Sequence, residues 1–237
     1  QITNTLSLPL LAQFEGDEVK LSIDFKKIVS IIGITAFTPI VGLFVVADVF
    51  VLVINGDKWM DAILPLRILL IYAMIYSVSS PIASVFKALG KPQIDFKIGL
   101  FIVPFYFIGI YFGSSYGIVG VAVGVTIVRA IYVILSFFFV AKVLNEFFLA
   151  IIRPILQPLL LSFFLGVFLI LVRLALYFIG LNDPLILLLI SVLVGAICFW
   201  LLLRFVFRSL SLIIMYYLFH IVPTKAFMFI GKLLNQK

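Results

Sequence analysis

Charge is what this sequence has least of. Asp, Glu, Lys and Arg make up 11% of its 237 residues, against about 25% in an ordinary soluble domain. Acid is scarcer than base, with ten Asp and Glu against seventeen Lys and Arg. Disorder requires low hydrophobicity and high charge, and 65% hydrophobic residues with a mean hydropathy of +1.35 exclude it. The same figures exclude a water-soluble globule, whose core cannot absorb that much apolar surface. The single cysteine, Cys198, lies deep in an apolar run. It permits neither an internal disulfide framework nor a cysteine metal cluster, and it reads as a small buried hydrophobe. The single histidine, His220, sits in an apolar stretch and is no candidate metal ligand. No Asp-rich motif is present to hold a magnesium diphosphate, and no glycine-rich phosphate loop. The sequence therefore predicts no catalytic residue, no metal site and no cofactor.

What is present is length of apolar run. A transmembrane helix needs about 20 mainly apolar residues. Six stretches qualify: Ile28 to about Ile54, Ile68–Phe86, Ile98 to about Phe112, Ile118–Ala141, Pro154–Phe178 and Pro184–Leu203. Barrel strands alternate polar and apolar over about ten residues, whereas these runs are apolar on every face. Helices also satisfy their own backbone in lipid. The fold class expected is all-α, a polytopic membrane bundle of about six transmembrane helices with additional interfacial helices.

Three regions follow. Residues 1–27 read as the tail of a truncated transmembrane helix and a charged interfacial segment, residues 28–207 as the six-helix bundle, and residues 208–237 as interfacial helices. Ser209 to Thr224 is apolar but short, and interfacial placement suits it better than a seventh crossing. The first dozen residues resemble the end of a longer apolar segment rather than the polar start left by a cleaved signal peptide. The chain thus reads as a C-terminal piece of a larger protein.

A net charge of +7 in a membrane chain is first a topology signal, because Lys and Arg collect on the cytoplasmic side. With the N-terminal segment placed inside, thirteen of the seventeen fall on the inner side. They run from Lys20, Lys26 and Lys27 through Lys87, Lys91, Lys97, Lys142 and Arg153 to the cluster from Arg204 onward. Lys58 alone lies in an outer loop. The C-terminus is expected in the cytoplasm, and no nucleic-acid partner is implied.

The remaining bases lie in or at the edge of spans. Each intramembrane charge costs about 2.5–3.5 kcal/mol on insertion scales and tends to face a cavity or a partner. Arg129 is near the middle of its span, with the small residues Ala122, Thr126 and Ser136 on its side of the helix. That pattern fits a wet cationic cavity, or an Arg bridging to a neighbouring helix. Arg173 and Arg67 lie nearer the outer edge, where snorkelling competes with a cavity role. Asp48 is the one acid inside an apolar run. It is a candidate for pairing with Arg67 or for ion coupling. Ala73, Ser77, Ser80 and Ser84 share one face, suited to close packing or a polar path. Gly120 and Gly124 form a small-xxx-small packing signal, and Pro39, Pro81 and Pro104 predict kinks.

One ordered series of short motifs goes beyond composition. It comprises Leu8-Pro9 with the acidic segment near Glu15 to Glu18, Gly56-Asp57-Lys58-Trp59, Arg67-Ile68-Leu69 and Val78-Ser79-Ser80-Pro81. Ala88-Leu89-Gly90-Lys91-Pro92, Phe96-Lys97 and Tyr116-Gly117-Ile118-Val119-Gly120-Val121-Ala122 complete it. The series, from about Leu8 to Ala141, resembles the polysaccharide exporters of the colanic and teichuronic acid type, within the multidrug/oligosaccharidyl-lipid/polysaccharide exporter superfamily. The resemblance implies a V-shaped fold of twelve to fourteen helices around a central cavity, of which this chain is mostly the C-terminal bundle. It implies flipping of a polyprenyl-diphosphate-linked oligosaccharide across a bacterial cytoplasmic membrane by alternating access, with no bond changed. The partners implied are membrane lipid, the lipid-linked oligosaccharide, the N-terminal half of the same protein and polysaccharide polymerase machinery. On the charge argument, Arg129 is then a diphosphate station with Arg67 and Arg173 as outer stations. A drug or cation antiporter of the same superfamily calls for cavity carboxylates, of which only Asp48 is available. A membrane-embedded glycosyltransferase or polymerase calls for a large outer loop or clustered acids. A scaffold subunit calls for an Arg129 neutralised by a neighbouring helix.

Overall fold

The computed structural model describes residues 18–181 and 183–206. They form seven α-helices, here α1 (Glu18–Asn55), α2 (Ile63–Ser79), α3 (Ile82–Ala88), α4 (Pro92–Ser114), α5 (Gly117–Val143), α6 (Phe148–Phe178) and α7 (Pro184–Val206). A short 3-10 turn, Asp57–Ala62, links α1 to α2. No strand occurs among the described residues. Among the described residues, six helical segments are long and apolar enough to cross a membrane, the 3-10 turn with α2 and α3 making one of them. The chain is an all-α polytopic membrane bundle. Residues 1–17 and 207–237, with the interfacial and seventh-crossing readings that fall on them, lie outside the described residues.

The chain divides into two compact units, the first ending at Val192 and the second beginning at Leu193. In the first, α1 packs on α2 and α6, α2 on α5, and α5 on α4. The helices therefore stand in the order α4, α5, α2, α1, α6. In lipid this association rests on close packing rather than on escape from water.

Helix α1 is longer than a bilayer requires. Its 38 residues reach about 57 Å at 1.5 Å per residue, against a hydrocarbon core of about 30 Å. The charged segment expected to lie apart from the first span is helical and continuous with it. Leu21, Phe25 and Val29 are buried against Phe86 and Val85 of α3, Phe137 and Val140 of α5 and Ile151 of α6. This apolar cluster, with the Phe25 and Phe137 rings 6.1 Å apart, ties together the end of the molecule that carries most of the lysines.

Turn chemistry at that basic end is local. Gly90, at φ +66°, ends α3 in the left-handed conformation that glycine accepts without cost. Lys91 N then donates to Phe86 O at 2.8 Å, closing a Schellman-type turn, and Pro92 starts α4 at a position that needs no N–H. Asn145, at φ 51°, ends α5 the same way, with Glu146 N donating to Ala141 O at 2.9 Å.

Of the three prolines expected to kink spans, Pro81 separates α2 from α3. Pro39 and Pro104 lie inside continuous helices. The packing signal at Gly120 and Gly124 is answered across the α4–α5 interface. A Cβ at Gly120 or Gly124 would run into the carbonyl oxygen of Gly113 or Gly109 on α4. These four glycines let the two backbones touch. Cys198, in the second unit, is half-buried rather than fully buried.

Candidate functional site

The four predicted residues fall into two groups. Arg173 of α6 and Asp48 of α1 face each other as a bidentate pair, Nη1 to Oδ1 at 3.0 Å and Nη2 to Oδ2 at 2.7 Å. Arg173 Nη1 also donates to Val45 O at 2.6 Å. Arg67 of α2 completes the cluster more loosely. Its Nη2 is 3.7 Å from Asp48 Oδ1, its Nε donates to Phe44 O at 3.3 Å, and its guanidinium lies over the Phe44 ring. Asp48 thus has Arg67 as a neighbour, but its principal partner is Arg173, 125 positions away in sequence. One carboxylate shared by two guanidiniums leaves one positive charge in excess. Arg67 also lines a groove of about 540 Å³ with Met60, Asp61 and Tyr116, at the end of the bundle opposite most of the lysines.

Arg129 stands apart from this cluster, on α5. That helix packs against α2 on one side and α4 on the other, while α2 and α4 make no substantial contact with each other. Arg129 therefore lies on the helix between α2 and α4, whose Tyr72 and Tyr106 side chains meet beside it. Its guanidinium carbon sits 4.5 Å from the ring centre of Tyr76 on α2 and 4.8 Å from that of Tyr132 on α5. Its Nη2 donates to Ser79 Oγ at 2.6 Å. Ser79 in turn donates to Tyr76 O, so both functions of that hydroxyl are used. The Tyr106 hydroxyl of α4 is a further hydrogen-bond partner of Arg129, and it also bonds Tyr72 of α2. Tyr72 stacks on Tyr76, with ring centres 6.3 Å apart and planes 13° from parallel. Tyr132 donates from its hydroxyl to Asp95 Oδ1 at 2.8 Å.

Two features give this arrangement chemical direction. Among the described residues no carboxylate lies within ion-pairing distance of Arg129. Its Nε is buried and has no hydrogen-bond acceptor. Two aromatic faces hold the cation without neutralising it, and a buried guanidinium N–H without an acceptor is costly. The site has the makings of an oxyanion receptor.

The small-residue face expected to line a wet cavity beside Arg129 is packed instead. Ala122 and Ser136 are buried, and Thr126 Oγ1 donates to Ala122 O. The cleft enclosed by α1, α2, α5 and α6 holds about 360 Å³ and is apolar, with Phe37, Met74, Val78, Val133 and Ile155 among its walls. Arg129 is not part of it. The polar surroundings of Arg129 come from tyrosines that the sequence reading passed over. The signal was present. Tyr72, Tyr76 and Ser79 recur at the four- and three-residue steps that share a helix face, one position ahead of the Ala73-Ser77-Ser80-Ser84 series that was read. Tyr132 is likewise one helical turn from Arg129.

At the basic end, Glu146 accepts hydrogen bonds from Lys26 Nζ at 2.7 Å and Ser22 Oγ at 2.8 Å. The Lys26 ammonium, and then the Ser22 hydroxyl, hold the Glu146 carboxyl below the usual carboxylate range. Among the described residues no group of three or more His, Cys, Asp or Glu is placed to hold a metal ion.

Comparison with known proteins agrees with the motif series. Residues 1–64 match a family model described as polysaccharide biosynthesis protein. The chain is 35% identical over 145 residues to the lipopolysaccharide biosynthesis protein WzxC of Escherichia coli strain K12, covering 60% of this chain and 29% of that protein. It is 29% identical over 170 residues to an uncharacterized membrane protein in the cps region of Klebsiella pneumoniae, covering 68% and 35%. It is 23% identical over 167 residues to the teichuronic acid biosynthesis protein TuaB of Bacillus subtilis strain 168, covering 70% and 35%. The chain spans about a third of the length of these relatives. No solved structure matches it.

Proposed function

We infer that this chain, a relative of polysaccharide exporters, is part of a bacterial inner-membrane flippase that moves a polyprenyl-diphosphate-linked oligosaccharide between leaflets by alternating access. The family matches carry the general role in polysaccharide biosynthesis and export. The observation that carries the substrate class is Arg129, a mid-membrane cation held by aromatic faces, with no carboxylate partner among the described residues and a buried N–H awaiting an acceptor. A diphosphate supplies both the negative charge and the acceptor oxygens that this guanidinium lacks. The neighbouring tyrosines offer hydroxyls and ring faces suited to a sugar beside the diphosphate, while the polyprenyl chain stays in lipid. No covalent bond changes in such a cycle, so the role is transport rather than enzymatic. The basic end is cytoplasmic on the positive-inside rule, which also places the C-terminus there.

The outer cluster takes a different part. Arg173 is committed to Asp48, and that pair pins α1 to α6. Arg67, only loosely tied and lining the groove near Tyr116, is the better outer station of the two. Asp48 serves as a fixed counter-charge in this reading rather than a coupling acid. A drug or cation antiporter is disfavoured, because Arg129 presents a cation with no carboxylate in ion-pairing distance among the described residues.

The test is flipping of a fluorescent polyprenyl-diphosphate-linked oligosaccharide by the full-length protein in vesicles, scored by access of an impermeant quencher. Arg129→Ala is expected to abolish leaflet exchange, with normal incorporation into the vesicles. Unchanged exchange in Arg129→Ala would contradict the assignment.

A further inference from the structure

Tyr132 does two things at once. Its ring face lies 4.8 Å from the Arg129 guanidinium carbon, and its hydroxyl donates to Asp95 at 2.8 Å. Tyr132 and Arg129 are three positions apart on α5 and so share a face of that helix. Asp95 belongs to a different helix, in the first turn of α4. The hydrogen bond therefore fixes the ring across the α4–α5 interface, beside Arg129. Tyr76 covers the guanidinium from the α2 side, and Ser79 takes one of its N–H groups. The Tyr106 hydroxyl of α4 is a further partner, and together these contacts fix the orientation of the guanidinium.

We propose that Asp95 and Tyr132 are positioning residues that orient the Arg129 guanidinium for an oxyanion, Asp95 acting wholly through the Tyr132 hydroxyl. Asp95 makes no direct ion pair with Arg129 among the described residues, and this separation is the point of the arrangement. A carboxylate in direct contact would neutralise the cation and compete with the ligand. A carboxylate one phenol away leaves the positive charge unneutralised. By accepting the phenolic proton in a hydrogen bond, it also makes the ring more electron-rich and a better partner for a cation. The proposal rests on Arg129 being the diphosphate station.

The test is a set of dissociation constants for polyprenyl diphosphate without sugar, measured on the detergent-solubilised full-length protein, with polyprenyl monophosphate as the comparison ligand. Tyr132→Phe keeps the ring and loses its anchor, and Asp95→Ala removes the acceptor. Each is expected to weaken diphosphate binding about tenfold. The double variant is expected to be no weaker than either single, since both remove the same bond. Asp95→Asn retains an acceptor for the phenol and is expected to keep most of the affinity. In an Arg129→Ala background neither Tyr132→Phe nor Asp95→Ala should alter the residual binding.

The possible failures are distinguishable. Wild-type affinity in Arg129→Ala would overturn the station itself, and the positioning role with it. Weak binding in Arg129→Ala with wild-type affinity in Tyr132→Phe and Asp95→Ala would overturn the positioning role and leave the station standing. A Tyr132→Phe effect that persists undiminished in the Arg129→Ala background would also overturn it, because Tyr132 would then act by touching the ligand or by holding the fold.

Discussion

At the scale of single residues, the three intramembrane or near-membrane arginines differ in what neutralises them. Arg173 has a two-pronged carboxylate, Arg67 a shared and distant one, and Arg129, among the described residues, aromatic faces and the hydroxyls of Ser79 and Tyr106. The sequence makes all three look alike, as Arg in an apolar run. Position along the run is legible, and it sets Arg129 apart as the one nearest the middle of its run. The Asp48–Arg173 pair was not legible, because nothing local brings together residues 125 positions apart. Removing Arg173 leaves Asp48 with only the looser Arg67, 3.7 Å away, and Val45 O without its donor. Arg173→Ala is expected to lower stability by about 1–2 kcal/mol, read as a lower thermal midpoint of the detergent-solubilised full-length protein. The charge exchange Asp48→Arg with Arg173→Asp is expected to recover most of the loss. If the exchange is no more stable than either single variant, the pair does not pin α1 to α6.

At the scale of elements, the six spans and their approximate limits follow from apolar length alone. Two features of the elements do not. Helix α1 absorbs the charged segment before it because Leu21, Phe25 and Val29 continue the buried stripe at helical spacing. In the sequence, Asp24, Lys26 and Lys27 mask that periodicity. The α4–α5 contact is the converse case. Gly120 and Gly124 were visible as a packing signal, but their partners Gly109 and Gly113 emerge only from the antiparallel register. Gly120→Val would drive a side chain into the α4 backbone, which cannot yield as a flexible side chain would. A loss of about 1–3 kcal/mol is expected, together with displacement of Tyr106 and Asp95 from the Arg129 site. Reduced thermal stability and reduced diphosphate affinity in the same variant check this.

The contact between Glu146 and α1 supplies a pH-dependent prediction. The folded pKa of Glu146 is depressed by Lys26 and Ser22. Its contribution is thus fully present above the unfolded carboxylate value of about 4.3, and is lost as pH falls through the lower folded value. The difference in thermal midpoint between the unaltered protein and Glu146→Gln is expected to be constant from neutral pH down to about pH 5 and to shrink below about pH 4. A difference that changes near neutral pH would show that another group controls this turn.

At the scale of the whole molecule, the lysine-rich end, the long α1 and the cluster around Phe25 and Phe137 form one well-tied extremity, expected to face the cytoplasm. In a Cys198→Ser background, Lys91→Cys is expected to react with an impermeant maleimide only after the cells are permeabilised, and Lys58→Cys before. The reverse labelling would invert the proposed orientation. The chain covers about a third of the length of its relatives, so transport is a property to be measured on the full-length protein.

The most direct measurement is surface glycan display in cells whose only copy of the full-length protein carries Arg129→Ala or, separately, Arg129→Lys, with the amount of protein in the membrane determined alongside. A cationic diphosphate station predicts loss of display in Arg129→Ala at normal protein level and partial display in Arg129→Lys, which keeps the charge but not the planar, ring-stacked guanidinium. Normal display in both variants would contradict the account and reduce Arg129 to a structural contact between α5 and α2.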